Sequence, residues 1–176
     1  MERKITILRH FFEDPTNKFS IRGLSKLVDI NHTTVRQHLQ KLEKEGFLLL
    51  KKEGVYSYYS LILNKKTLNL KLYYNLEKIR KTGIIESLER EYDFPVIVLF
   101  GGYAVAMDDK KSDIDLCIIT NIKKDFSTER YEKELNRKVS FHKFTKQEWE
   151  DIKKSNPNLV NSICNGIVLS GELEVL

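Results

Sequence analysis

The sequence predicts an α+β protein in two parts: an amino-terminal unit of three helices and a hairpin, then a small mixed-sheet α/β domain. Two patterns carry this reading. Between Phe19 and Leu61 apolar residues recur first at helical and then at alternating spacing, and from Pro95 onward continuous apolar runs alternate with charged helical segments. Charge separates the parts as well. Residues 1–62 hold eleven Lys/Arg against seven Asp/Glu, whereas residues 94–176 hold twelve against thirteen, so a polyanionic partner would meet the first part. The expected boundaries are 1–62, a helical connector over 63–93, and 94–176.

With 176 residues, 41% hydrophobic and 31% charged, the chain suits one full core or two small ones. No apolar run reaches the roughly 18 residues that cross a bilayer, and the opening MERKITILRHFF is charged and amphipathic. A cytoplasmic protein with no membrane contact is therefore expected. Cys117 and Cys164 stand in apolar surroundings without metal-ligand spacing and read as buried thiols.

A leading helix runs from about Glu2 to Phe12. Ile21, Leu24 and Leu27 recur at spacings of three and mark a short second helix. Asn31 is an N-cap for a third, with Ile30 and Val35 at the positions of a hydrophobic staple, Val35, Leu39 and Leu42 as the apolar stripe, and Gly46 as the stop. Two strands then flank a turn at Glu53-Gly54, with Val55, Ser57 and Tyr59 alternating against Tyr56, Tyr58 and Ser60.

This order resembles the winged helix-turn-helix of bacterial and archaeal transcription regulators over about 60 residues. The resemblance implies that the third helix enters the major groove of double-stranded DNA and the hairpin meets the backbone. Thr33, Thr34, Arg36, Gln37, Gln40 and Lys41 would then face the bases and the groove walls, with Arg36 and Gln37 suited to base edges. Lys51 and Lys52 suit phosphates. From Lys65 to Tyr92 a charged helical stretch holds Leu68, Leu70, Leu72 and Leu76 and breaks at Gly83. Connecting helices of regulators often pair with their twins, so a homodimer is expected.

PVIVLF, from Pro95 to Phe100, is a run suited to a strand buried on both faces. Gly101 and Gly102 turn the chain, YAVAM opens a helix, and SDIDLCIIT forms the next strand. Glycine lets main-chain N–H groups approach a phosphate, and a helix amino terminus adds partial positive charge there. Asp113 and Asp115 lie about 7 Å apart on one face of their strand, opposite to Ile114 and Leu116, and two such carboxylates ligate hard cations such as Mg²⁺.

Gly101-Gly102, the ten residues Tyr103 to Ser112, and Asp113-Ile114-Asp115 together resemble the signature of the DNA polymerase beta-like nucleotidyltransferase superfamily, specifically its minimal nucleotidyltransferases. The fold implied is a nucleotidyltransferase-like α/β domain behind the winged helix-turn-helix. By that resemblance Gly101, Gly102 and Ser112 bind a nucleoside triphosphate, ATP being the expected one, and Asp113 and Asp115 are catalytic and hold Mg²⁺.

Two departures stand out against the family pattern. Ala104-Val105-Ala106 replaces the Ala-Arg-Gly of many relatives, and Ser140, in RKVSFHKF, occupies the place of a third carboxylate. Glu132, Glu134, His142 or a partner chain would have to complete the site. GIVLSG resembles the closing segment of such domains, with a hairpin expected at Gly171.

Two functions follow. One is nucleotidyl transfer to a hydroxyl of a small molecule or protein, as in antitoxins of this kind that modify a partner toxin. The other is transcription regulation by a DNA-binding protein whose transferase-like domain is degenerate and serves as nucleotide sensor or dimerisation module.

Overall fold

The computed structural model describes residues 2–174, with the side chains of Glu2 and Arg3 left aside. The chain is mixed α+β and divides into two compact units, Met1–Tyr74 and Asn75–Leu176. Among the described residues no helix is long and apolar enough to cross a membrane.

The first unit comprises α1 (Glu2–Glu13), β1 (Lys18–Phe19), α2 (Ile21–Val28), α3 (His32–Lys44), β2 (Leu48–Glu53), β3 (Tyr56–Leu61) and the first part of α4 (Lys65–Lys81). Polar caps set the helix starts. Ser20 accepts the Gly23 N–H, and Asn31 accepts the Thr34 N–H at 2.8 Å. The unit closes on Ile7, Leu8, Phe11 and Phe12 of α1, Leu24 of α2, Val35, Leu39 and Leu42 of α3, and Phe47, Leu48 and Tyr59.

Two local expectations are corrected, and one element is added. Leu27 is 56% exposed, and Val28 packs on the core instead. The reason is angular: at about 100° per residue, a step of four from Leu24 stays on the buried face, whereas steps of three from Ile21 to Leu27 drift away from it. Val55 is 91% exposed, because Glu53 pairs with Tyr56 and so leaves Gly54-Val55 as the two-residue connection. A two-residue strand, β1, pairs with β3 at Lys18↔Ser60 and Phe19↔Tyr59 and is too short to leave a periodic signal.

The second unit comprises the end of α4, α5 (Ile84–Tyr92), β4 (Val96–Phe100), α6 (Gly101–Ala104), β5 (Ile114–Ile119), α7 (Glu129–Leu135), β6 (Val139–Phe144), α8 (Lys146–Ser155), α9 (Pro157–Cys164) and β7 (Ile167–Ser170). Residues 63–93 are not a separate connector: the division falls within α4, and Leu76, Ile79, Ile84, Ile85, Leu88 and Tyr92 belong to the second core.

The sheet runs β6-β5-β4-β7, with β5 and β6 parallel and the other pairs antiparallel. The parallel pair is joined through α7, the kind of crossover that parallel pairing requires. Both faces are covered. Ile97, Leu99, Ile114, Leu116 and Ile118 pack with α5 and α7, while Val98, Phe100, Cys117 and Ile119 pack with Trp149 of α8 and Ile163 of α9. That two-sided burial explains the uninterrupted apolar run in β4.

The expected hairpin at Gly171 does not form among the described residues. β7 instead pairs with β4, and Gly166 admits this approach, since a Cβ there would lie 2.4 Å from the Leu99 carbonyl oxygen. Residues 175 and 176 lie outside the described part. Cys117 is buried and its thiol is pushed up to about 12, chiefly by burial, whereas Cys164 is only partly buried.

Candidate functional site

Antiparallel pairing of β4 with β5 sets Phe100 opposite Asp115, so the glycine turn that follows Phe100 lies against that carboxylate. Gly101 has φ +71°, and a Cβ there would stand 2.6 Å from Asp115 Oδ2. Only glycine can occupy this position without displacing the acid. The helix expected for YAVAM is a single turn that begins at Gly101 itself and ends at Ala104. Gly102 is exposed.

β5 begins at Ile114, so Asp113 stands just ahead of the strand, exposed, whereas Asp115 is half-buried within it. The parallel partner β6 places Ser140 beside Asp115, and the Ser140 hydroxyl donates to Asp113 Oδ2 at 3.4 Å. Ser140 is thus the register neighbour of Asp115 and a hydrogen-bond partner of Asp113. His142, two residues on, shares this face. Its ring packs edge-on against Phe100 at 5.1 Å. Burial holds the Asp115 carboxyl above the usual carboxylate range; the imidazole of His142 opposes that shift, and the charge of Asp113 adds to it.

Other expected participants turn elsewhere. The Glu132 carboxylate accepts the Val139 N–H at 2.9 Å and the Thr128 hydroxyl at 3.2 Å, which ties α7 to β6. Glu134 is exposed on α7. Ser112 shares hydrogen bonds with Asp109, its hydroxyl donating to Oδ1 at 3.0 Å and its N–H to the same oxygen at 3.1 Å. Among the described residues no three His, Cys, Asp or Glu side chains form a group that could hold a metal ion.

Sequence reasoning missed a buried pair, Asp108 and Arg137, whose residues are 2% and 8% exposed. Arg137 Nη2 lies 3.3 Å from Asp108 Oδ2, and Asn75 Nδ2 donates to Asp108 Oδ1 at 2.9 Å. Asp108 hid in the charged run DDKK, and Arg137 read as one more surface cation. Beside Asp113 lies a cleft of about 540 Å³ whose lining includes Lys110, Lys111, Lys133 and Lys138.

In the first unit Thr33, Arg36, Gln37, Gln40 and Lys41 are exposed along α3, Thr34 is partly exposed, and Lys51 and Lys52 are exposed on β2. They form a polar face opposite the stripe of Val35, Leu39 and Leu42.

The family model for polymerase beta, nucleotidyltransferase matches residues 82–173, just over half of the chain. The chain belongs to that family. The match contains the glycine turn, both aspartates and Ser140, and so takes in the whole arrangement described above. No curated protein matches the chain. Among solved structures, one described as a candidate transcriptional regulator from Rhodococcus sp. RHA1 is similar at 16% identity and a TM-score of 0.34, over 72% of this chain and 46% of that one. The chain thus spans less than half the length of that protein, and a likeness at this level carries no argument.

Because burial is the largest cause of the Asp115 shift and Asp113 a smaller one, Asp113→Asn should move the Asp115 titration down without returning it to the ordinary range. Carbon NMR of the side-chain carboxyl measures this, and an unmoved midpoint would show that the two acids do not sense each other.

Proposed function

We propose that the second unit binds a nucleoside triphosphate with Mg²⁺, ATP being the expected nucleotide, and that the protein is a nucleotidyltransferase-type enzyme whose amino-terminal unit is a DNA-binding winged helix-turn-helix. The observation that carries the nucleotide reading is the contact of Gly101 with Asp115. It joins a side-chain-free turn, able to bring main-chain N–H groups to phosphate, to a pair of carboxylates. Two carboxylates together with phosphate oxygens suit Mg²⁺, which usually takes only one or two acidic ligands from the protein. Bound there, the ion would neutralise phosphate charge and polarise the α-phosphate.

In the transfer so proposed, an acceptor hydroxyl of a protein or small molecule attacks the α-phosphorus as its proton passes to water. The bond from that phosphorus to the bridging oxygen breaks, and pyrophosphate leaves. Asp113 and Asp115 hold the cation-bearing nucleotide in place, and the glycine turn orients the phosphates. Ser140 brings a hydroxyl where a carboxylate would hold a second ion, so transfer should be slow in the isolated chain. That same observation favours a second reading, a DNA-binding regulator that senses nucleotide without turning it over.

Replacing both aspartates by Asn should abolish Mg²⁺-dependent ATP binding measured by calorimetry while leaving the circular dichroism spectrum intact; equal affinity in the two proteins would sink the nucleotide reading. Ser140→Asp should raise Mg²⁺-dependent ATP turnover or self-modification above wild type. Robust wild-type turnover that this change leaves the same or lowers would place the missing carboxylate elsewhere.

The exposed polar face of α3 and the lysines of β2 support the DNA reading. Arg36→Ala should weaken binding to a selected duplex more than to random duplex, while Lys51→Ala should weaken both and shallow the salt dependence by about one unit of slope. Absence of binding to any duplex at low salt would remove this part of the proposal.

A further inference from the structure

We propose that Arg137 is the positioning residue for Asp113, acting through the backbone that leads into it; this rests on the reading of Asp113 and Asp115 as holders of Mg²⁺ and ATP. The two aspartates are placed by different devices. Asp115 lies inside β5, paired with Phe100 on one side and Ser140 on the other. Asp113 lies outside the strand, at the end of a ten-residue excursion from Gly102; Ser140 meets its carboxylate, and its backbone needs an anchor of its own.

Residues 137 and 138 provide it. Arg137 Nη1 donates to the carbonyl oxygens of Asp109 and, at 3.0 Å, of Ser112, the residue before Asp113. The Lys138 carbonyl accepts the N–H of Ile114, the residue after it, at 2.9 Å. The peptide units flanking Asp113 are thus bound to adjacent residues of one downstream segment. The guanidinium is itself fixed, by the Asp108 carboxylate and by the Tyr103 ring with its centroid 5.5 Å away. Asn75 closes the arrangement, donating to Asp108 and, at 3.1 Å, to the Tyr103 carbonyl.

The bound carbonyls organise the rest of the excursion. Asp109 Oδ1 accepts the N–H groups of Lys111 at 2.8 Å and Ser112 at 3.1 Å, which folds the exposed tip back on itself. Lysine at position 137 would keep the charge but not the planar fork that reaches Asp108 with one nitrogen and two carbonyls with the other. Outer partners of metal ligands commonly govern affinity by about 10–100-fold without touching the ion.

The test compares wild type with Arg137→Lys by NMR. In wild type, amide exchange at Lys111 and Ser112 should be slow for an exposed tip; exchange as fast as in an unstructured loop would overturn the proposal whether or not the variant folds. In Arg137→Lys, exchange at these two amides should rise at least about tenfold while β5 keeps its protection. With Mn²⁺ and ATP as the probe, the ratio of paramagnetic broadening at the Asp113 carboxyl to that at Asp115 should fall, a change that loss of affinity alone would not produce. An unchanged ratio with unchanged exchange would overturn the proposal. Failure of Mn²⁺ and ATP to broaden either aspartate in wild type would instead overturn the nucleotide reading, and amide exchange would then decide the positioning role.

Discussion

The register of β4 on β5 is the constraint from which the candidate site follows. Phe100 stands opposite Asp115, so the residue after Phe100 must turn directly over a carboxylate. With φ at +71° and a Cβ position 2.6 Å from Asp115 Oδ2, that residue is Gly101. A slip of one residue would carry Asp115 to the face now occupied by Ile114 and Leu116, which is packed under α5 and α7. The apolar alternation of β5 therefore holds the acids at the surface as firmly as it holds the core together.

The same sheet decides how the acids behave. α8 and α9 pack against Cys117, Ile119 and Phe144, whereas Asp115 and Ser140 are half-buried nearer the starts of their strands and His142 is half-buried beside Cys117. Partial burial raises the Asp115 carboxyl, and the exposed Asp113 contributes its charge to that effect. Ser140 supplies a hydrogen bond to Asp113 where a carboxylate would supply further repulsion. The arrangement holds fewer like charges than three acids would, and correspondingly less pull on a second cation.

Much of this was legible in the sequence because it rests on local spacing. The Asn31 cap, the stripe of Val35, Leu39 and Leu42, the break at Gly83 and the β4 run all follow from periodicity and side-chain chemistry. The misreadings share a different cause. Leu27 and Val55 are apolar residues at the edge of a pattern, where a shift of one position moves a side chain from core to solvent. β7 joins β4 because Gly166 permits a backbone approach to Leu99, a residue 67 positions earlier in the chain.

What the sequence determined by itself is the set of elements and the chemistry they carry: helices, strands, a glycine turn and two acids one residue apart. These depend on neighbours within a few positions, and their steric and hydrogen-bonding preferences act before any distant contact forms. Only the tertiary structure decided that Arg137 meets Asp108 and the Asp109 and Ser112 carbonyls, that Glu132 is committed to Val139 and Thr128, and that a Cβ at Gly101 would meet the Asp115 carboxylate. The physical reason is burial. A charged residue reads as solvated until folding removes its water, and a buried guanidinium must then find a carboxylate and carbonyl oxygens wherever the packed chain presents them.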